Sequence, residues 1–315
     1  VKTNLDADRS ECASIEVRFD GDADLAASLE IFRRAGDDLI DRWDGAWLTR
    51  TVRIDGKSVA YTGRASHERG EAVLAVLTEN LSHNNAIAQT VARSFLPLSS
   101  AFEALCQNDA IIGRVAAMHR GFRPILQPDL FVALIRCISA QQVNLRWAAT
   151  TRRRLAEKYG TLHTIGDQFV YSLNPERVAG ANPADIRALQ FTTRKAEYIV
   201  NVARAIADGA LDIEYLRSLS DGEVITLITK IRGLGVWTGE WILARTLGRP
   251  RVSASDLGVR KAVGRVYLNG RMPSPDEVRA ATAHWGAAAA FAQELLLHAQ
   301  YLKTLDRAAT LFPAA

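Results

Sequence analysis

The chain has 315 residues, 48% of them hydrophobic and 23% charged, a balance that excludes disorder over most of its length and suggests about two domains. No apolar stretch reaches the roughly 18–20 residues a membrane-spanning helix needs; the densest, Ala287 to Leu297, is broken by Gln293 and Glu294. Three dispersed cysteines, Cys12, Cys106 and Cys137, exclude a structural zinc site, a four-cysteine iron–sulfur cluster and a disulfide framework.

The acidic start, Val1 to Asp6, lacks the apolar core of a secretory signal. Together with the cysteine count it leads us to expect a reducing, cytoplasmic setting. Charge is uneven: residues 1–100 carry a net −4 and residues 101–315 a net +8. A basic larger part is compatible with a polyanionic partner.

In chain order, residues 1–100 read as a small mixed α/β sheet domain. Ser14 to Phe19 alternates as a strand does. Asp24 is placed to cap a helix running through Arg34. Strands follow over Ala46 to Ile54, Ser58 to Ala65 and Ala72 to Thr78, with Asp55-Gly56 as a hairpin turn. A helix over Asn85 to Phe95 closes the unit. No catalytic constellation appears in it. Residues 101–315 read as all-α: one or two helices over Asp129 to Tyr159, then Arg194 to Ala207, Asp221 to Lys230, Val236 to Leu247 and Asp256 to Tyr267. Pro275 to Leu302 reads as two more. The joints carry Gly, Pro, Asn or Ser, as helix ends do. The fold class is therefore α+β.

The most informative segment runs from Ile231 to Gly239, Ile-Arg-Gly-Leu-Gly-Val-Trp-Thr-Gly, between two helical patterns. Two glycines around one apolar residue permit a very tight turn, with Leu234 plugging the gap between the helices. The second helix then presents free N–H groups at its positive end, a seat for a DNA phosphate. The bland alternative is a helix joint that touches nothing. About twenty residues on, Asp256 stands at a loop-to-helix junction, where Ser255 or Asp256 would serve as a plain N-cap. The same carboxylate would also lie near a phosphate-anchored strand.

Together these features resemble the helix-hairpin-helix DNA glycosylase superfamily, and within it the bacterial DNA-3-methyladenine glycosylase II group. Further segments agree: Ile138-Ser139-Ala140-Gln141-Gln142-Val143, Gly121-Phe122-Arg123-Pro124, Asp129-Leu130-Phe131 and Thr193 to Ile199. The resemblance covers about residues 115–270. It implies a glycosylase core over 101–315 built of two helical subdomains with an active-site cleft between them.

The resemblance also implies a chemistry. The enzyme everts a nucleotide into a pocket, and Asp256 stabilises the oxocarbenium-like charge that develops as the glycosidic bond breaks. Alkylated purines already carry positive charge and leave readily, so one carboxylate suffices. Bifunctional relatives carry a lysine two residues after the second hairpin glycine; Trp237 stands there, which implies a monofunctional hydrolase without lyase activity. Gln142, beside Gln141, matches the residue that fills the vacated stack, though loop hydrogen bonding is the simpler reading. Trp237 and Trp241 share a helix face and match base-pocket positions, where their rings would attract a cationic base; core packing is the alternative. Leu257 and Leu297 match two further pocket positions that relatives fill with aromatics.

Gly233, Leu234, Gly235, Thr238 and Arg232 are the expected DNA contacts. The carbonyls of Thr229, Ile231 and Leu234 match those that hold a Na+ or K+ ion; no other cofactor is implied. Lys230, Arg260 and Lys261 are further phosphate candidates. The sequence departs from the family at Ser255, at Leu257 and in the alanine run after Trp285-Gly286, which implies a wider pocket or a different substrate. The expected partner of this nucleoid-associated monomer is double-stranded DNA carrying 3-methyladenine or 7-methylguanine lesions, with no membrane contact. The alternatives are a glycosylase for oxidised or deaminated bases and a non-catalytic DNA-binding protein.

Overall fold

The computed structural model describes residues 13–309 except 20, 22, 69, 70 and 79–82. The N-terminal stretch and Cys12 lie outside the described residues. The chain folds into two compact units. Unit 1 comprises residues 1–94 and 131–212, and unit 2 residues 95–130 and 213–315. The first break falls close to the expected one near residue 100, but the helical part is shared between both units.

Unit 1 carries a five-stranded antiparallel sheet in the order β1-β5-β4-β3-β2. Its strands are β1 (Ala13–Phe19), β2 (Arg42–Trp43), β3 (Trp47–Ile54), β4 (Lys57–Glu68) and β5 (Glu71–Thr78). Asp55 and Gly56 both take positive φ (48° and 75°) between β3 and β4, the backbone a two-residue hairpin turn requires. Asp24 caps α1 (Leu25–Leu29), as expected, but that helix stops well short of Arg34 and passes into a 3-10 turn over Glu30–Phe32. After α2 (Asn84–Ser94) the unit resumes with α5 (Leu130–Ala140) and α6 (Leu145–Tyr159).

The expected all-α run is then interrupted. β6 (Gly160–Ile165) and β7 (Gln168–Leu173) form an antiparallel hairpin. The signal was local: Gly166 at φ 53° with Asp167 is a two-residue turn between β-branched and aromatic residues. The hairpin lies on the sheet, where Tyr171 N–H donates to the Leu39 carbonyl (2.8 Å) and Arg42 Nη1 to that of Phe169 (2.7 Å). α7 (Pro175–Ala179), α8 (Pro183–Ala188) and α9 (Thr193–Ala207) complete the unit.

Unit 2 is helical in its described residues. It holds α3 (Ser100–Asn108), α4 (Ala110–Met118), α10 (Ile213–Ser218), α11 (Asp221–Thr229), α12 (Val236–Arg245), α13 (Leu257–Tyr267), α14 (Pro275–Thr282), α15 (Ala289–Tyr301) and α16 (Leu305–Ala309). Between α14 and α15 a 3-10 stretch bends at Gly286, φ 49°. Val259, Ala262, Val263 and Val266 of α13 join Phe102, Ile112, Trp285, Phe291 and Leu295 in one core. That apolar face fixes the helix whose N-cap is Asp256. Among the described residues no helix is long and apolar enough to cross a membrane.

Candidate active site

The hairpin at residues 230–235 is built by backbone constraints. After α11, the N–H groups of Lys230 and Ile231 bond back to Leu227 and Ile228 (3.2 and 3.1 Å), and Leu234 N–H donates to the Ile231 carbonyl at 3.0 Å. Gly233 sits at φ 97°, open to glycine and costly to other residues. Leu234 is buried and plugs the turn. Gly235 differs from expectation. Its φ of −123° is ordinary extended backbone, and a Cβ built on it would meet nothing within 4 Å. Neither conformation nor packing requires glycine there. What its bare backbone leaves is clear access to the unpaired N–H groups opening α12. Gly239 instead closes the hairpin, since a Cβ on it would come 3.0 Å from Ile225 Cγ1 and 3.1 Å from Ile225 Cα.

Arg232 is exposed at the hairpin tip. Thr238 is not on the surface: it is fully buried and its hydroxyl finds no hydrogen-bond partner. Its side chain therefore cannot meet DNA as expected, and only its main-chain amide can serve a phosphate. Of the three carbonyls matched to a cation site, that of Ile231 accepts the Leu234 N–H. Arg260 also departs from expectation. Its Nε donates to the Pro273 carbonyl at 2.7 Å, bracing the loop after α13.

Asp256 is the N-cap of α13. Its Oδ1 accepts from Gly258 N (2.8 Å) and Val259 N (3.1 Å), and its Oδ2 accepts from Trp237 Nε1 at 3.0 Å. The cap and the hairpin helix are thus joined through one carboxylate. The loop leading to it is also held: Ser253 N–H donates to Gln293 Oε1 (2.6 Å), and Asp256 N–H to the Ser253 carbonyl (2.9 Å). Asp256 is partly exposed, and no cation pairs with it among the described residues. A carboxylate fixed by three N–H groups and free of a counter-charge is suited to stabilising developing positive charge.

The two hairpin tryptophans separate. Trp237, part-buried, touches the carboxylate; Trp241 is buried at 7%, and the Arg245 guanidinium stands 5.3 Å from its ring centroid. Trp241 thus already has a cation over its ring, held in turn by Glu294 at 2.7 Å. Leu257 is exposed, while Leu297 packs at the edge of the core. Two residues escaped the sequence reading. A Cβ on Gly258 would come 3.0 Å from Asp256 Oδ1, 3.1 Å from Leu297 Cδ2 and 3.9 Å from Gln300 Nε2. Gly258 therefore keeps space open beside the carboxylate, and Gln300 stands across it. The only sequence signal for Gly258 was its place two residues after a capping acid.

In unit 1, Gln141 and Gln142 occupy the turn between α5 and α6. Gln142 is exposed and takes φ 54°, a strained backbone that presents its side chain outward. Beneath the turn, Ser139 is buried; its hydroxyl accepts from Arg152 Nη1 (2.9 Å) and its carbonyl from Lys195 Nζ (2.9 Å). Burial lowers the Lys195 pKa.

Residues 135–287 match the family model of the HhH-GPD superfamily base excision DNA repair proteins. YfjP of Bacillus subtilis is 33% identical over 172 residues, 53% of this chain and 58% of that one. The DNA-3-methyladenine glycosylase of Bacillus subtilis is 30% identical over 186 residues, 58% of this chain and 61% of that one. The chain thus spans about three-fifths of the length of these relatives. The 3-methyladenine DNA glycosylase of Archaeoglobus fulgidus shares the fold, with a TM-score of 0.79 at 21% identity over 92% of this chain and 98% of that one.

Proposed function

We propose, from the match of residues 135–287 to the HhH-GPD superfamily of base excision DNA repair proteins, that this chain is a DNA glycosylase that excises alkylated purines of the 3-methyladenine and 7-methylguanine type from double-stranded DNA. The observation that carries this reading is Asp256, bonded to Trp237 on the hairpin helix and to the first turn of α13, with no cation to neutralise it. Scission of the C1′–N bond gives its electron pair to the departing base, which leaves neutral because it was cationic. The Asp256 carboxylate stabilises the positive sugar. Water then adds to C1′ and loses a proton to complete the hydrolysis. The open N-terminus of α12 seats a phosphate of the same strand, and the turn carrying Gln142 supplies the side chain that replaces the everted base.

Trp237 stands where a Schiff-base lysine would be needed, so the enzyme is monofunctional. The carbonyls of Thr229, Ile231 and Leu234 would hold a monovalent cation, which would supply positive charge favouring a strand phosphate at the hairpin. The protein acts as a monomer on chromosomal DNA in the cytoplasm.

The test is to incubate purified protein with duplexes carrying single defined lesions and to resolve the strands with and without hot alkali. Breaks that appear only after alkali, on alkylpurine duplexes, are expected. Asp256→Asn should lower single-turnover base release by about 10²–10³-fold. Breaks without alkali would overturn the monofunctional reading. Release of oxidised or deaminated bases alone would overturn the substrate, and an Asp256→Asn rate equal to the parent's would overturn the role of the carboxylate.

A further inference from the structure

We propose that a basic groove running from the Asp256 end of α13 is a second seat for the sugar–phosphate backbone of the strand that carries the everted nucleotide. The proposal rests on the glycosylase reading and adds a binding site outside the hairpin. The lining of the groove, of about 520 Å³, includes Lys261, Arg265, Arg271, Lys303, Gln300 and one acid, Asp306.

Its charges are unequal in use. Arg265 pairs with Asp306, and Arg271 with Glu277 at 2.7 Å. Lys261 and Lys303 make no ion pair among the described residues and are exposed. Two uncompensated ammonium groups facing one groove repel each other, a cost that a polyanion entering the groove would relieve.

Position supplies the second argument. Gln300 lines the groove and also stands across from Gly258, whose Cβ position lies 3.0 Å from Asp256 Oδ1. The groove therefore begins where the carboxylate site ends. Leu257, Lys261 and Arg265 fall four residues apart along α13, on one exposed face; the opposite face, with Val259, Ala262, Val263 and Val266, is in the core. At 1.5 Å per residue, Lys261 and Arg265 stand roughly 7 and 13 Å beyond Asp256 along the helix axis. Arg265 is committed to Asp306, so Lys261, with Lys303 in the same groove, is the cation placed for a phosphate next to the site that takes one nucleotide.

The double variant Lys261→Gln, Lys303→Gln breaks no ion pair and tests the proposal directly. The probe is a duplex with a central tetrahydrofuran abasic site, its Kd followed over a range of KCl concentrations for the full chain. Two lost phosphate contacts should reduce the slope of log Kd against log salt by about 2 and weaken low-salt binding roughly tenfold, with Tm unchanged. Lys261→Arg, Lys303→Arg should keep the parent slope, which separates charge from any change in folding. An unchanged slope and Kd in the folded glutamine variant would overturn the groove. A parent that binds the duplex with this slope difference but releases no base would overturn the glycosylase reading and leave the groove standing. A parent without affinity for the duplex would overturn both.

Discussion

Asp38 in unit 1 and Asp256 in unit 2 both accept backbone N–H groups, and the rest of each carboxylate meets opposite surroundings. Asp38 is 2% exposed; its Oδ1 accepts from Ile40 N at 3.1 Å, and its Oδ2 lies 2.8 Å from both Arg136 Nη1 and Arg152 Nε. Arg136 reaches on to Asp41 (2.7 Å), which also holds Arg50. Burial alone would raise the Asp38 pKa; the two arginines, with the hydrogen bonds of Arg152 and the Ile40 amide, outweigh it and hold the acid at about 2. Arg152 continues to Ser139, directly under the turn bearing Gln142. In this network every charged group lies against an opposite charge, and its product is a fixed position. Asp256 is equally fixed but keeps its charge uncompensated. Rigidity comes from hydrogen bonds in both units; what differs is the arginine, present at Asp38 and absent at Asp256.

Changing each aspartate to asparagine separates these roles. Asp38→Asn leaves the buried Arg152 without its ion-pair partner and Arg136 with Asp41 alone, and should cost about 3–5 kcal/mol, read from urea unfolding. Asp256→Asn keeps an N-cap of comparable quality and should cost less than about 1 kcal/mol while base release collapses. Equal destabilisation by the two would break the comparison.

Acid offers a smaller, reversible version of the same test. Asp38 has a folded pKa depressed from 3.8 to about 2. Its protonation is therefore opposed in the folded state, and the stability it contributes, about 2 kcal/mol, is complete above pH 4 and is lost as the pH falls through 2. Stability measured between pH 4 and 2 should show this loss in the parent and lack it in Asp38→Asn. A variant with the same acid profile as the parent would place the acid sensitivity elsewhere.

How much of this was legible in the sequence follows the range of the interactions involved. Asp55-Gly56, the Asp24 and Asp256 caps and the tight turn at Gly233 were readable because each is set by neighbours within a few residues. The β6–β7 hairpin carried an equally local signal in Gly166-Asp167, but helical periodicity on both sides masked it. Residues whose role depends on distant partners were not readable. Trp241 and Trp237 look alike in sequence, and only the folded chain sets Arg245 over one ring and Asp256 against the other indole. The Asp38–Arg136–Arg152 network joins side chains more than ninety residues apart, with no spacing rule to announce it. Thr238 is a case of the same kind: it was an expected DNA contact, whereas packing buries its side chain.

The smallest expected change in stability gives the sharpest test of the hairpin. Gly233, at φ 97°, should lose about 1–2 kcal/mol on substitution by alanine. Gly235 is extended and has open space beyond its Cα, and α12 begins without a side-chain cap. Serine is a better N-cap than glycine. Gly235→Ser should therefore leave the protein as stable as the parent, or more stable by a few tenths of a kcal/mol. The same hydroxymethyl group would occupy the approach to the amides of Val236 and Trp237, so affinity for duplex DNA should fall roughly tenfold, with a loss of about 1 in the salt slope for the one phosphate displaced. Here folding and binding are expected to move apart. If Gly235→Ser destabilises the chain as Gly233→Ala does, the glycine serves the turn after all; if it binds duplex DNA as the parent does, the open end of α12 is not where the strand is held.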